Sequence, residues 1–268
     1  MFDRGFLYGD GAFEVMRTYG GKPFMEQEHL ERLRRSCEGL LIPFPFDLEK
    51  LSEEIQRTIQ RSGLSECYLR VVVTRGAGPI ALDPSSACNP VRMIYALPLK
   101  TPAPEVYQEG IAVGMVSDIE LGAGRALASG VKSSNYLNSI LALHAVAQRG
   151  CQEALIAGVH GEIKEGASSN LFIVREGTLL TPPRHAGILG GITRAVVMSL
   201  AADLGREVRE ALFFPSDLYA CQEAFITSSI REIVPVTRAD GIVIGGGRAG
   251  ESTSELLKAY RDRAGKSA

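Results

Sequence analysis

Hydrophobic positions along the chain follow two different periods, and the switches between them outline the elements. Residues 13–19 and 22–25 are β-rich runs on either side of Gly20-Gly21, a pair suited to a two-residue hairpin turn with positive φ. Leu30, Leu33, Cys37 and Leu40 then recur at helical spacing from Glu26 onward, and a second amphipathic run from Asp47 ends at Gly63. Residues 68–74 and 91–97 return to strand character. Pro98, Pro102 and Pro104 punctuate residues 98–110, which read as a stiff, extended connector between a small N-terminal domain (1–97) and a larger one (111–268).

Beyond the connector, residues 111–116 predict a strand and Gly122-Ala123-Gly124 a loop. Ser133 or Ser134 is placed to cap a helix with Leu137, Ile140, Leu141 and His144 on one face and Gly150 as its stop. Strands follow at 153–159 and 171–180, with turns at His160-Gly161 and Glu176-Gly177. A helix over 193–204 stops at Gly205, short strands lie near Val208 and over 224–227 and 233–236, and a last helix starts near Ser252. The pattern is α+β, without an internal repeat.

Composition narrows the function. At 268 residues and 45% hydrophobic content the chain can bury a sizeable core. A net charge of −2 with no basic block argues against nucleic acid and polybasic membrane anchoring. No apolar run reaches the roughly 20 residues that span a bilayer, and no basic-then-apolar leader opens the sequence, so it reads as soluble and cytoplasmic. Five scattered cysteines and four scattered histidines give neither a disulfide framework nor a metal motif. No phosphate-binding GxxxxGK[ST] occurs, the nearest GxGxxG fails at Leu127, and Gly166-Ala167-Ser168-Ser169-Asn170 lacks the last glycine of a nucleophile elbow. Arginines outnumber lysines 22 to seven, so a chemically used lysine has few candidates.

Lys132 leaves a loop and precedes Ser133-Ser134-Asn135 and an apolar helix, a setting that disfavours its ammonium form and suits Schiff-base chemistry. Glu165 lies between two β-rich runs, Gly191-Ile192-Thr193-Arg194 enters a helix whose free N–H groups suit a phosphate, and Thr227-Ser228-Ser229 offers hydroxyls at a strand end. Taken singly, each has a bland counterpart: a surface lysine, a solvated turn glutamate, an ordinary helix start, a turn cap. Arg32, beside Arg34 and Arg35, fits a solvated basic face equally well.

Together these segments resemble one family. Asp3-Arg4-Gly5-Phe6-Leu7-Tyr8-Gly9-Asp10-Gly11-Ala12-Phe13-Glu14, His29-Leu30-Glu31-Arg32-Leu33, Lys132-Ser133-Ser134-Asn135-Tyr136-Leu137, Glu165-Gly166-Ala167-Ser168-Ser169-Asn170-Leu171-Phe172 and Gly191-Ile192-Thr193-Arg194 occur in the order found in class IV (fold-type IV) pyridoxal-phosphate enzymes. These comprise branched-chain and D-amino-acid aminotransferases and aminodeoxychorismate lyase. The resemblance implies a two-domain α+β fold with a small N-terminal domain and a larger C-terminal pseudo-barrel domain, pyridoxal 5′-phosphate as cofactor, small amino-acid and 2-oxo-acid substrates, and a homodimer. It also implies roles: Lys132 bonds the cofactor and shuttles protons, Glu165 bonds the pyridine nitrogen, and Tyr136 reaches the cofactor phenolate. Arg32, the amides of Ile192 and Thr193, and Ser228 and Ser229 form the phosphate cup.

Tyr8, Phe13, Arg17, Tyr68 and Arg70 match substrate-pocket positions of branched-chain aminotransferases, and Arg231 adds a candidate carboxylate anchor. Two segments depart from that subgroup: Ser168-Ser169-Asn170 stands for Gly-Glu-Asn, and Ser229-Ile230-Arg231-Glu232 for Thr-Ala-Ala-Glu. Thr74-Arg75-Gly76 is followed by Ile80-Ala81-Leu82, without the Arg-x-His trap of the D-amino-acid enzymes. Val15 stands where lyases often have threonine, while residues 227–236 resemble the lyase C-terminal segment. The balance favours an aminotransferase of branched-chain type, with 4-amino-4-deoxychorismate lyase as the alternative and a non-catalytic binding protein of the same fold as a remote one. Relatives carry a further strand ahead of Asp-Arg-Gly, so a bare sheet edge or a shortened start is expected.

Overall fold

The computed structural model describes residues 2–87, 89–117 and 130–266; Cys88, Leu127 and the Gly122-Ala123-Gly124 loop lie outside the described residues. The chain divides into two compact units, Met1–Lys100 with Gly130–Tyr136 and Ala264–Ala268, and Thr101–Ser129 with Leu137–Arg263.

In the first unit, α1 (Arg4–Tyr8) is capped by the Asp3 side chain and ends on left-handed Gly9. β1 (Gly11–Tyr19) and β2 (Lys22–Pro23) form a hairpin through Gly20 and Gly21, whose φ of 56° and 77° are the positive values that such a turn requires. α2 (Glu26–Gly39) and α3 (Leu48–Ser62) follow, the latter between an Asp47 cap and left-handed Gly63. β3 (Cys67–Thr74) and β4 (Val91–Pro98) complete an antiparallel sheet of order β2-β1-β3-β4. Met16, Leu33, Cys37, Leu51, Ile55, Leu69 and Val71 fill the core between sheet and helices. Burial pushes the Cys37 thiol up to about 12, so it packs as a small hydrophobe. The outer flank of β1 is held at both ends, by β2 at Thr18 and Tyr19 and by Ser133 at Ala12. Phe13 N donates to Lys132 O at 3.0 Å and Ser134 N to Gly11 O at 2.8 Å, which is how residues far along the chain join the first unit.

The second unit opens with α4 (Val106–Glu109), a short helix within the connector expected to be extended; its Val106 and Tyr107 find a core to pack against. Then come β5 (Ile111–Ser117), α5 (Leu137–Ala147), β6 (Glu153–Ala157), β7 (Ile163–Gly166), β8 (Asn170–Arg175) and β9 (Thr178–Thr181). α6 (Ile192–Asp203), β10 (Val208–Glu210), α7 (Pro215–Ala220), β11 (Glu223–Ser228), β12 (Glu232–Ala239), β13 (Ile242–Val243) and α8 (Glu251–Lys266) follow. The described strands form a mixed sheet of order β10-β9-β8-β11-β12-β5-β6-β7, with β13 beside β12. β5 runs parallel to both β12 and β6, and the other pairings are antiparallel except β9 with β10.

α5 differs from its expected orientation. Leu137, Ile140 and Leu141 are 49% to 64% exposed, whereas the small-residue side with Ala142 and Val146 is buried. Close approach to β5 demands it: a Cβ on Gly114 would stand 2.8 Å from Val146 Cγ1. No described helix is long and apolar enough to cross a membrane.

Candidate active site

The first unit gathers most of the aromatic and cationic candidates on one sheet face. Alternation along β1 turns Phe13, Val15 and Arg17 outward, and the β1–β3 register sets them opposite Val72, Arg70 and Tyr68. The Arg70 guanidinium lies over the Phe13 ring at 3.9 Å, and that of Arg17 over Tyr19 at 4.3 Å. Tyr8, the last residue of α1, stacks under Arg4 at 5.0 Å.

Lys132 comes to the same aromatic group. Its Nζ is 4.6 Å from the Phe13 ring centroid and donates to Tyr136 Oη at 3.3 Å, while Phe13 and Tyr136 meet edge to face at 5.0 Å. Its backbone is fixed on both sides, by Phe13 N and by Ser36 Oγ, which accepts from Lys132 N at 3.2 Å. The amine is thus fixed and half-buried against aromatic walls.

Opposite faces of β1 do different work, since Glu14 points inward. It is fully buried and accepts from Arg32 Nε at 2.6 Å and Nη2 at 2.8 Å, with His29 Nδ1 at 2.7 Å. Burial alone would raise the carboxyl; Arg32 and His29 overcome it and hold Glu14 at about 2. Burial also pushes His29 below its usual value, with Arg32 and Lys132 adding repulsion against the attraction of Glu14. The planar guanidinium of Arg32 is therefore locked by a bidentate pair. Glu14 and His29 stood in the quoted motifs without a role. Their signal was a charged residue at an inward strand position, between Ala12 and Met16, and a histidine on the apolar face of α2.

In the second unit, Glu165 sits on β7 rather than in a turn. Leu189 N donates to its two oxygens at 3.2 and 3.0 Å, and Asn170 Nδ2 donates to Oε2 at 3.1 Å and to Leu189 O at 2.9 Å. Gly191 makes room for this bracket: a Cβ there would lie 1.9 Å from Asn170 Oδ1. Gly191 is also the N-cap of α6, and with no side-chain cap it leaves the N–H groups at Ile192 and Thr193 to an outside acceptor. Thr227 pairs with Asn170 across β11 and β8, so the two side chains share a face, and the buried Thr227 Oγ1 has no hydrogen-bond partner. Ser228 and Ser229 follow at the strand end. Arg231 lies in the same turn, where its N and Nε donate to Ser228 Oγ at 3.3 and 3.4 Å, and its Nη2 reaches Glu153 and, at 2.9 Å, Ser168 Oγ. Glu153 was read only as the start of a strand.

Each unit offers parts that suit a phosphorylated pyridine aldehyde: the first an amine for the aldehyde, and the second a carboxylate for the ring nitrogen, an open helix start and the Thr227 hydroxyl, which has no hydrogen-bond partner. The described residues hold no group of three or more His, Cys, Asp and Glu that could bind a metal.

The fold and the relatives of this chain define an aminotransferase. The chain belongs to the class IV aminotransferase family, whose sequence model, described as Amino-transferase class IV, matches residues 11–239. A Methanocaldococcus jannaschii protein, provisionally named a branched-chain-amino-acid aminotransferase, is 41% identical over 262 residues, covering 98% of this chain and 90% of its own. A D-alanine aminotransferase of Staphylococcus epidermidis is 32% identical, covering 96% and 89%. Among solved structures, the Escherichia coli branched-chain amino acid aminotransferase superposes with a TM-score of 0.92 at 32% identity, over 98% of this chain and 88% of that one. The T.th. branched-chain enzyme complexed with N-(5′-phosphopyridoxyl)-L-glutamate gives 0.90 at 29% identity, over 100% and 89%.

Proposed function

We propose that this aminotransferase uses pyridoxal 5′-phosphate to move an amino group between an amino acid, of branched-chain type, and a 2-oxo acid. The observation that carries the reading is the placement of Lys132 Nζ beside Tyr136 Oη and over the Phe13 ring. When bound, the cofactor supplies an aldehyde that takes up the amino group and a ring that draws electrons from the substrate Cα.

Lys132 would hold the cofactor through its amine and would serve as general acid and base toward the substrate Cα. Phe13 and Tyr136 keep water away from its amine, and Tyr136 Oη donates toward the cofactor phenolate. Glu165, steadied by Asn170 and Leu189 N, would accept from the pyridine N–H. Arg32, the amides of Ile192 and Thr193, and Ser228 and Ser229 would take the phosphate, a task suited to a guanidinium and to an uncapped helix start. The outward sheet face with Phe13 and Tyr68, together with Tyr8 of α1, would receive the side chain of the substrate, and Arg17 and Arg70 its carboxylate. Names of the relatives support the branched-chain preference.

The enzyme is cytoplasmic and works as a homodimer. Support for the dimer comes from Val91, Met93, Tyr95 and Leu97, alternate residues of the edge strand β4 that are 36% to 49% exposed. The test of activity is a half-reaction. Leucine, isoleucine or valine should shift the absorbance of the bound cofactor to that of its pyridoxamine form, and a 2-oxo acid should restore it. Release of pyruvate and aminobenzoate from aminodeoxychorismate, with no amino acid shifting the band, would establish the lyase instead.

A further inference from the structure

Glu153 is a buried carboxylate at the start of β6 on which groups from two separate turns converge. From the turn between β7 and β8, Ser168 Oγ donates at 2.9 Å and Ser169 Oγ at 3.0 Å. From the turn between β11 and β12 comes Arg231 Nη2, which also donates to Ser168 Oγ at 2.9 Å while Nε holds Ser228 Oγ at 3.4 Å. Ala154 N donates to the other carboxylate oxygen at 3.0 Å. Both departures from the branched-chain pattern, Ser168-Ser169 and Arg231, therefore meet at this one carboxylate. The turn is drawn tight around it: Gly166 N donates to Ser169 O at 2.7 Å, and a Cβ on Gly166 would stand 2.2 Å from Ser169 Oγ.

We propose that Glu153 and Arg231 form a clamp that fixes the turn carrying Ser228 and Ser229 against the turn that follows Glu165, so that both act as positioning residues for the cofactor. This rests on the pyridoxal-phosphate reading above. The guanidinium is held by Glu153, Ser168 and Ser228, which gives Arg231 an internal task in place of the substrate-carboxylate contact expected of it from the sequence. A buried carboxylate with several donors tolerates little displacement of any of them, since each lost partner leaves charge unpaired away from water. The clamp thus keeps the serine hydroxyls at one distance from the segment that carries Glu165 and Asn170.

The test uses the full chain freed of cofactor. Dissociation constants for pyridoxal phosphate and for pyridoxal, which lacks the phosphate, are read by absorbance titration in wild type, Glu153→Gln, Arg231→Met and the double variant, alongside thermal midpoints and the KM of the amino donor. The clamp requires each single variant to weaken pyridoxal phosphate about tenfold, the scale on which supporting groups act on the ligands they hold. Pyridoxal should lose less and KM should change little. Because Arg231→Met strands the buried Glu153 charge, the double variant should recover the thermal midpoint lost in Arg231→Met without recovering affinity. Four results overturn the proposal: unchanged cofactor affinity in the single variants; a raised KM in Arg231→Met with cofactor affinity intact, which makes it a substrate anchor; recovery of affinity together with stability in the double variant; or equal losses for both ligands. A wild-type chain that binds no pyridoxal phosphate overturns the functional reading and the clamp with it.

Discussion

Glu14 is a carboxylate with no solvent contact, and the two groups facing it decide how the protein answers to acid. Arg32 and His29 hold its pKa at about 2, below the ordinary carboxylate range, so its folded form resists protonation more than its unfolded form does. A depressed folded pKa contributes stability that is complete above about pH 4.5 and is lost as pH falls toward 2. Its size is on the order of 3 kcal/mol. His29 is also depressed, by burial first, so the folded protein takes up its proton at a lower pH than the unfolded chain, which does so near pH 6.5. Both terms have the same sign, and the histidine acts first. Urea unfolding should therefore show stability dropping from pH 7 to pH 5, with His29→Gln flattening that slope and Glu14→Gln costing about 3–5 kcal/mol at pH 7 by stranding buried Arg32. A wild-type curve flat between pH 7 and pH 5 would remove His29 from this role.

At the scale of elements, strand alternation sorts β1 into two surfaces, with Glu14 locking Arg32 on one side and Phe13 and Arg17 on the other. The hairpin at Gly20-Gly21, the caps at Asp47 and Gly63 and the stop at Gly205 are local chemistry, and they were legible for that reason. Less legible was β7, because a four-residue strand that carries Lys164 and Glu165 has too short a pattern to announce itself. The orientation of α5 could not be read either. Its richest apolar face is the exposed one, since the sheet accepts only the small residues on the other side. The homodimer proposed above would cover such a face and the outward stripe of β4. Met93→Lys or Ile140→Lys should shift the protein from dimer to monomer in light scattering, with circular dichroism unchanged. A wild-type monomer at micromolar concentration, or dimers indifferent to both substitutions, would leave those faces without a partner.

For the whole molecule, a net charge of −2 had set aside polymeric anions, and 22 arginines remained to be explained. Most pair with carboxylates: Arg34 with Glu31 and Glu38, Arg206 with Glu255, Arg263 with Asp203. Such exposed pairs contribute little each. The arginines claimed for function sit instead in the small-sheet face, in the Glu14 pair and in the Glu153 clamp. Motif order alone pointed to Lys132 and Glu165, since each stands in a short contiguous pattern. Their surroundings were hidden because they depend on contacts between distant residues: Phe13 with Lys132, Leu189 with Glu165, Arg231 with Glu153. Of the seven lysines, one is fixed against aromatic walls with its backbone bonded on both sides. Borohydride reduction of the protein loaded with pyridoxal phosphate, followed by peptide mass mapping, tests that assignment most directly. The pyridoxyl group should be found on Lys132 and should be absent in Lys132→Ala. A label on another lysine, or no label after full reconstitution, would contradict it.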